Sequence, residues 1–202
     1  MRRRGSLAPP TRWSLVISTL RIKIDPMRSP SPVPCTIPLS SALQPDVVEG
    51  AYYWDSYRAP MKLPPAGVVD LFLGVFGHHP RWMRWALMAR NRLVRLLGLS
   101  VATAANDFDV PHRSQYQVGD LIGRWPIYVL DEHELVAGRD NAHLDFRVSV
   151  LRELEGDCPS VVVSTVCVVH NWTGKVYLFF VLPFHRFGVR YIIAQALRAG
   201  RL

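Results

Sequence analysis

Residues 143–150, His-Leu-Asp-Phe-Arg-Val-Ser-Val, alternate strictly between polar and apolar side chains. Leu144, Phe146, Val148 and Val150 fall on one face of a period-two strand, and His143, Asp145, Arg147 and Ser149 fall on the other. Such a strand is half-buried and antiparallel. A slip of one residue would carry the whole apolar set into water, and burying Phe146 alone contributes about 1.5–3 kcal/mol, so the register is strongly specified. The rest of the chain must then supply a sheet with one greasy face and something to cover it.

The flanking sequence supplies both. Residues 51–59 are aromatic-rich and closed by Pro60, which suits an edge strand with Tyr53, Asp55 and Tyr57 on one face and Tyr52, Trp54 and Arg58 on the other. Pro64 and Pro65 open a helix through Val68, Val69, Leu71, Phe72, Val75 and Phe76 that stops at Gly77. A second helix is predicted from Pro80 to Gly98, with Arg81, Arg84, Arg92 and Arg95 gathered on one side. Residues 99–119 keep no period and read as a long loop. From Trp125 the chain becomes a meander: a strand at 127–130, a turn at Asp131 and Glu132, a strand at 134–139, a turn at Asp140 and Asn141, then the 143–150 strand. Residues 161–170 give a further strand. Asn171-Trp172-Thr173-Gly174 reads as a hairpin loop returning through a strand at 175–182, and Pro183 opens the last helix.

The predicted fold is therefore α+β: a curved antiparallel sheet of about six strands around a long C-terminal helix, with two helices after the first strand. Polar residues 170–175 interrupt the apolar run 161–184, so no stretch there reaches the roughly 20 residues needed to span a membrane. The first 46 residues, rich in proline and arginine, read as a poorly ordered tail, and residues 47–202 as one domain. Met27 opens a quieter stretch and offers an alternative start.

The formal charge of +8 does not mark a nucleic-acid binder. The first 26 residues hold six basic side chains against Asp25, residues 81–95 hold five arginines and no acid, and the remainder sums to about −2. Charge placed that way cannot track a phosphate backbone. Cys35, Cys158 and Cys167 are too few and too scattered for a disulfide framework or a zinc site, which points to a reducing cytoplasm. His78 and His79 are adjacent and diverge. No metal and no cofactor is implied, and no phosphate-binding loop or nucleophile elbow is present.

Asp55-Ser56-Tyr57-Arg58, Val75-Phe76-Gly77-His78, Arg90-Asn91-Arg92, the 143–150 strand and Leu182-Pro183-Phe184-His185-Arg186 together resemble the bacterial domain-of-unknown-function family 2867, over roughly residues 47–197. The resemblance implies membership of the START-like helix-grip superfamily. It brings no reaction, substrate or catalytic residue. Relatives in that superfamily resemble one another mainly in holding lipids, sterols, polyketides or quinones in a cavity.

On this reading the leading function is binding of an apolar or amphipathic small molecule between sheet and helices. Leu144, Phe146, Val148, Cys167, Leu178 and Phe180 are predicted to line the sheet side and Tyr191 the helix side. His185 and Arg186, placed in the first turn of the last helix, would offer an anion site beside free backbone N–H groups. A cyclase- or aromatase-type enzyme using the same cavity is the second reading. The third is an interaction module whose arginines 81, 84, 92 and 95 dock on a membrane surface or a partner, against the plainer reading of a solvated face over a packed core. His143, Asp145 and Arg147 read as an outer-face ladder rather than an acid–base set.

Overall fold

The computed structural model of the 202-residue chain describes residues 31–43, 49–61, 67–78, 80, 82, 83, 85, 86, 88, 92, 115–123, 125–154 and 159–202. Its strands are β1 (Val33–Pro34), β2 (Tyr53–Pro60), β3 (Leu121–Ile122), β4 (Trp125–Leu130), β5 (Glu134–Arg139), β6 (Leu144–Glu153) and β7 (Ser160–Val169). Helix α1 (Val68–Phe76) follows β2, and helix α2 (Trp172–Arg198) follows β7. Trp82, Met83, Trp85, Ala86, Met88 and Arg92 are also helical. All neighbours pair antiparallel in one seven-stranded sheet of order β1-β2-β7-β6-β5-β4-β3.

The alternation of β6 sets the two faces as expected. Val148 and Val150 join Val161 and Val163 of β7, Leu135 and Ala137 of β5 and Tyr57 and Ala59 of β2 in the main core. Leu71, Phe72, Val75 and Phe76 of α1 and Val189, Ile192, Ile193, Ala196 and Leu197 of α2 cover them. Each such buried aliphatic contributes about 1.5–3 kcal/mol, so the inner face supplies most of the driving force. The Asp131 side chain closes the β4–β5 turn by accepting from the N–H groups of His133 (2.7 Å) and Glu134 (2.8 Å). Asn141 does the same before β6, accepting from His143 (3.0 Å) and Leu144 (3.1 Å).

Four expectations are corrected. Residues 175–182 are not a strand, because both edges of β7 are already paired, to β2 and to β6. Asn171 instead caps α2, its side chain accepting from the Gly174 N–H at 3.1 Å. Lys175 to Arg198 then continue as one helix with Pro183 inside it. By length and composition α2 is long and apolar enough to cross a membrane, contrary to the reading of that run as interrupted, while its Leu178, Val189, Ile192 and Ile193 lie buried against the rest of the protein.

The tail boundary at residue 46 is also too late. Val33 and Pro34 pair with Arg58 and Tyr57, and the Cys35 N–H donates to Ser56 O at 3.0 Å. Leu43 packs on Val136 and Val166 across the outer face of the sheet. There the buried Glu134 carboxylate accepts from Ser41 Oγ (2.6 Å), from the Ala42 N–H (2.5 Å) and from Ser149 Oγ. A carboxylate in that position is tolerated because each oxygen is hydrogen-bonded. The segment around Ser41 is thus a cover for the sheet, and the predicted edge strand β2 is an inner one.

The predicted loop at 99–119 falls mostly outside the described residues, which resume at Gln115. Arg81, Arg84 and Arg95 of the predicted basic face also lie outside them, while Arg92 is helical and exposed.

Candidate functional site

The inner face carries two apolar clusters with a polar seam between them. Successive inward positions of β2 are Tyr53, Asp55 and Tyr57, which register with Cys167, Thr165 and Val163 of β7. On β6 the same rows continue as Phe146, Val148 and Val150. Tyr53, Cys167, Leu144 and Leu178 form the smaller cluster, and Tyr57, Val163 and Val150, with Val148 of the row before them, belong to the main core. Asp55 and Thr165 lie in the row between.

Helix α2 crosses this seam and adds His185 and Arg186. His185 Nε2 is 3.4 Å from Asp55 Oδ1, the Tyr53 hydroxyl donates to Asp55 Oδ2 at 2.7 Å, and Arg186 Nε donates to the Tyr53 oxygen at 3.3 Å. The His185 ring meets Tyr53 edge-on, centroids 5.8 Å apart, and the Arg186 guanidinium lies 5.3 Å from the centre of the Tyr53 ring. The chain of contacts runs Arg186 to Tyr53 to Asp55, with His185 closing on the other carboxylate oxygen.

Burial acts to raise the Asp55 pKa, but the hydrogen bonds and charge of His185, with hydrogen bonds from Tyr53 and Thr165, outweigh it and hold the carboxyl below its ordinary value. Tyr53 moves the other way, raised first by burial and then by its hydrogen bond to Asp55, so it stays protonated and donating. Burial, with the Asp55 charge second, pushes the Cys167 thiol up to about 12. Cys167 is therefore a neutral apolar side chain and no nucleophile.

The nine sequence-predicted site residues separate in this geometry. Leu144, Cys167 and Leu178 meet, Leu178 from a helix rather than a strand. Val148 is sealed in the main core. Phe146 is only partly buried and bridges the two clusters, its ring 5.4 Å from Trp125. Phe180 does not line the inner face; it is 45% exposed on the outer side of α2, edge-on to Phe179. Tyr191 packs partly on the main core and meets Trp82 at 5.2 Å. His185 and Arg186 lie mid-helix rather than in a first turn, so no free backbone N–H stands beside them.

Sequence reasoning missed Tyr53, Asp55 and Thr165 as site residues. The signal was available, since Asp55 occupies the inward parity of β2 between two tyrosines, and a carboxylate there demands a partner. The ladder His143, Asp145 and Arg147 lies on the opposite face and has structural partners: Asp145 pairs with His170 at 2.9 Å, and Arg147 pairs with Asp140 at 2.5 Å while its guanidinium carbon lies 3.7 Å from the centre of the Tyr128 ring. A shallow depression of about 550 Å³, lined by Leu121, Pro126, Tyr128, Arg139 and Asp140, shares no residue with the Asp55 cluster. Among the described residues no three His, Cys, Asp or Glu side chains converge as metal ligands.

The architecture is that of an α+β domain with one long helix laid over an antiparallel sheet. The family described as "Protein of unknown function (DUF2867)" matches residues 47–192, and the chain belongs to it. No curated protein matches the chain. Among solved structures, CalU16 from Micromonospora echinospora is similar at 12% identity over 85% of this chain and 92% of that one. Its TM-score of 0.28 is too low to support an argument.

Proposed function

We propose that the protein is a binding module of the START-like, helix-grip kind that holds an apolar or amphipathic small molecule between the inner face of the sheet and its helices. The observation that carries this reading is the partial exposure of Phe146. It occupies the middle of the inner face on a central strand, yet Val148 and Val150 beside it are sealed. Helix α1 packs on β5 and β6 and lays Phe72 and Phe76 against Trp125, helix α2 packs on β2 and β7, and Phe146 keeps part of its ring exposed where the two apolar clusters meet.

The Asp55 cluster borders the same space. Tyr53 and Phe146 flank Cys167 in one row of the sheet, two strand spacings or roughly 10 Å apart. An apolar body on Phe146 and Trp125 would leave a polar end within reach of Tyr53, His185 and the exposed Arg186. Uptake of an apolar fluorescent probe, together with a native mass spectrum of protein purified from its own host, tests the proposal. A retained molecule, and probe uptake blocked by Phe146→Trp, are the expected results. A protein that retains nothing and takes up no probe refutes it.

One observation favours the enzyme reading as the second choice. An imidazole held by a half-buried carboxylate is an arrangement suited to general acid–base work. That reading requires the retained molecule to be converted by the unmodified protein and only bound by His185→Gln.

A further inference from the structure

The outward side of α2 is unusually apolar for a surface. Trp172, Phe179, Phe180, Phe184 and Phe187 are all exposed, with Phe179 at 73% and Phe184 at 71%. At 100° per residue they fall within a sector of roughly 140°, opposite the side that Leu178, Val189, Ile192 and Ile193 present to the core. The neighbouring helical residues extend the patch: Trp82 lies 5.6 Å from the Phe187 ring, and Trp85 and Met88 are exposed beside it in sequence. Monomeric soluble proteins rarely leave contiguous aromatic surface of this kind uncovered.

The charge around the patch has one sign. Neither residues 80–106 nor residues 171–202 contain an aspartate or glutamate. Lys175 and Arg190 of α2 are exposed, as is Arg92. From this combination we propose that the outward face of α2 docks on an anionic phospholipid bilayer, the helix lying in the plane of the interface. Aromatic side chains settle at the level of the headgroups, and the arginines beside them meet lipid phosphates. A second copy of the chain is the poorer occupant, because a twofold contact would bring the same arginines against one another with no carboxylate between them. The surface is distinct from the Phe146 region, which lies on the other side of α2, so either proposal can fail without the other.

Flotation of the full chain with vesicles of phosphatidylcholine alone, and of equal parts phosphatidylcholine and phosphatidylserine, tests it. Binding is expected only to the anionic vesicles and should fall at about 1 M salt, where the screening length is about 3 Å. Phe179→Ser with Phe184→Ser should weaken binding by about tenfold or more, with an unchanged melting temperature because both rings are exposed. Arg92→Gln with Arg190→Gln should remove most of the salt-sensitive part. Lack of binding to anionic vesicles overturns the proposal, as does equal binding to both vesicle types or undiminished binding by the phenylalanine variant. Self-association that the phenylalanine variant abolishes, without vesicle binding, assigns the face to a second copy and also overturns it.

Discussion

Asp55 Oδ1 and His185 Nε2, separated by 130 residues of sequence, lie 3.4 Å apart and join β2 to the middle of α2. The folded-state pKa of Asp55 lies below its ordinary 3.8. The unfolded chain therefore binds the proton more readily, and stability rises with pH through that region. The contribution is fully present above about pH 4 and is lost as pH falls through the folded value. Asp55→Asn should cost about 1–3 kcal/mol at neutral pH, and the difference between the two proteins should shrink as pH falls from neutral through the folded value. Urea unfolding of both proteins across that range measures it. A gap that stays constant with pH would mean the carboxylate charge does not hold the helix.

What could be read from the sequence depended on which residues carried an unambiguous period. The β6 alternation fixed its own faces, and Gly77 ended α1 where the apolar spacing did. Asn171 and Gly174 could not be read locally, because an Asn–Gly pair at that spacing suits a hairpin and a helix cap equally. The decision lay in β2, whose pairing with β7 takes the edge a returning strand would need. The error moved some residues and spared others. Leu178 faces Cys167 on either a strand or a helix, whereas Phe180, two positions on, shares its face in a strand but lies about 200° away in a helix. Phe180 therefore points outward, and the exposed aromatic face of α2 was invisible to a reading that made residues 175–182 a strand.

The clamp on Glu134 makes a prediction about the N-terminal segment. Ser41 and Ala42 supply two of the hydrogen bonds to this carboxylate, which is 2% exposed. Deleting residues 1–43 removes both and uncovers Val136 and Val166, so the melting temperature should fall by several degrees. Ser41→Ala should cost about 1–3 kcal/mol, since it leaves a buried charge short of a donor. Thermal melts of the two proteins beside the full chain measure both effects. An unchanged melting temperature after the deletion would return residues 31–43 to the status of a dispensable tail.

Gly174 tests the cap of α2. A Cβ on this residue would sit 2.3 Å from the His143 carbonyl oxygen and 2.9 Å from Val169 Cγ1. The first helical turn can seat against the start of β6 only without a side chain there. Gly174→Ala should therefore destabilise by about 1–3 kcal/mol despite alanine's better helix propensity, because backbone must move to admit the methyl group. Denaturant midpoints decide it, and a stabilised variant would show that the helix start is free to shift.

Phe146 separates a packed interior from a binding space. In a filled core, Phe146→Ala removes contacts that cannot be replaced and costs about 3–5 kcal/mol, while Phe146→Trp overpacks and costs about 1–3 kcal/mol. The ring here is partly exposed, touches Trp125 at 5.4 Å and joins the two apolar clusters. Part of its surface is already exposed, so the alanine variant should lose less, about 1–2 kcal/mol. The larger indole should fit with little change in stability and occupy the space a ligand would use. The expected pattern is thus two near-stable variants with opposite defects: Phe146→Ala binds an apolar probe with altered affinity, and Phe146→Trp excludes it. Melting temperatures and probe titrations of both variants read this directly. If both are strongly destabilised, Phe146 is core, and the space between sheet and helices holds only the protein's own side chains.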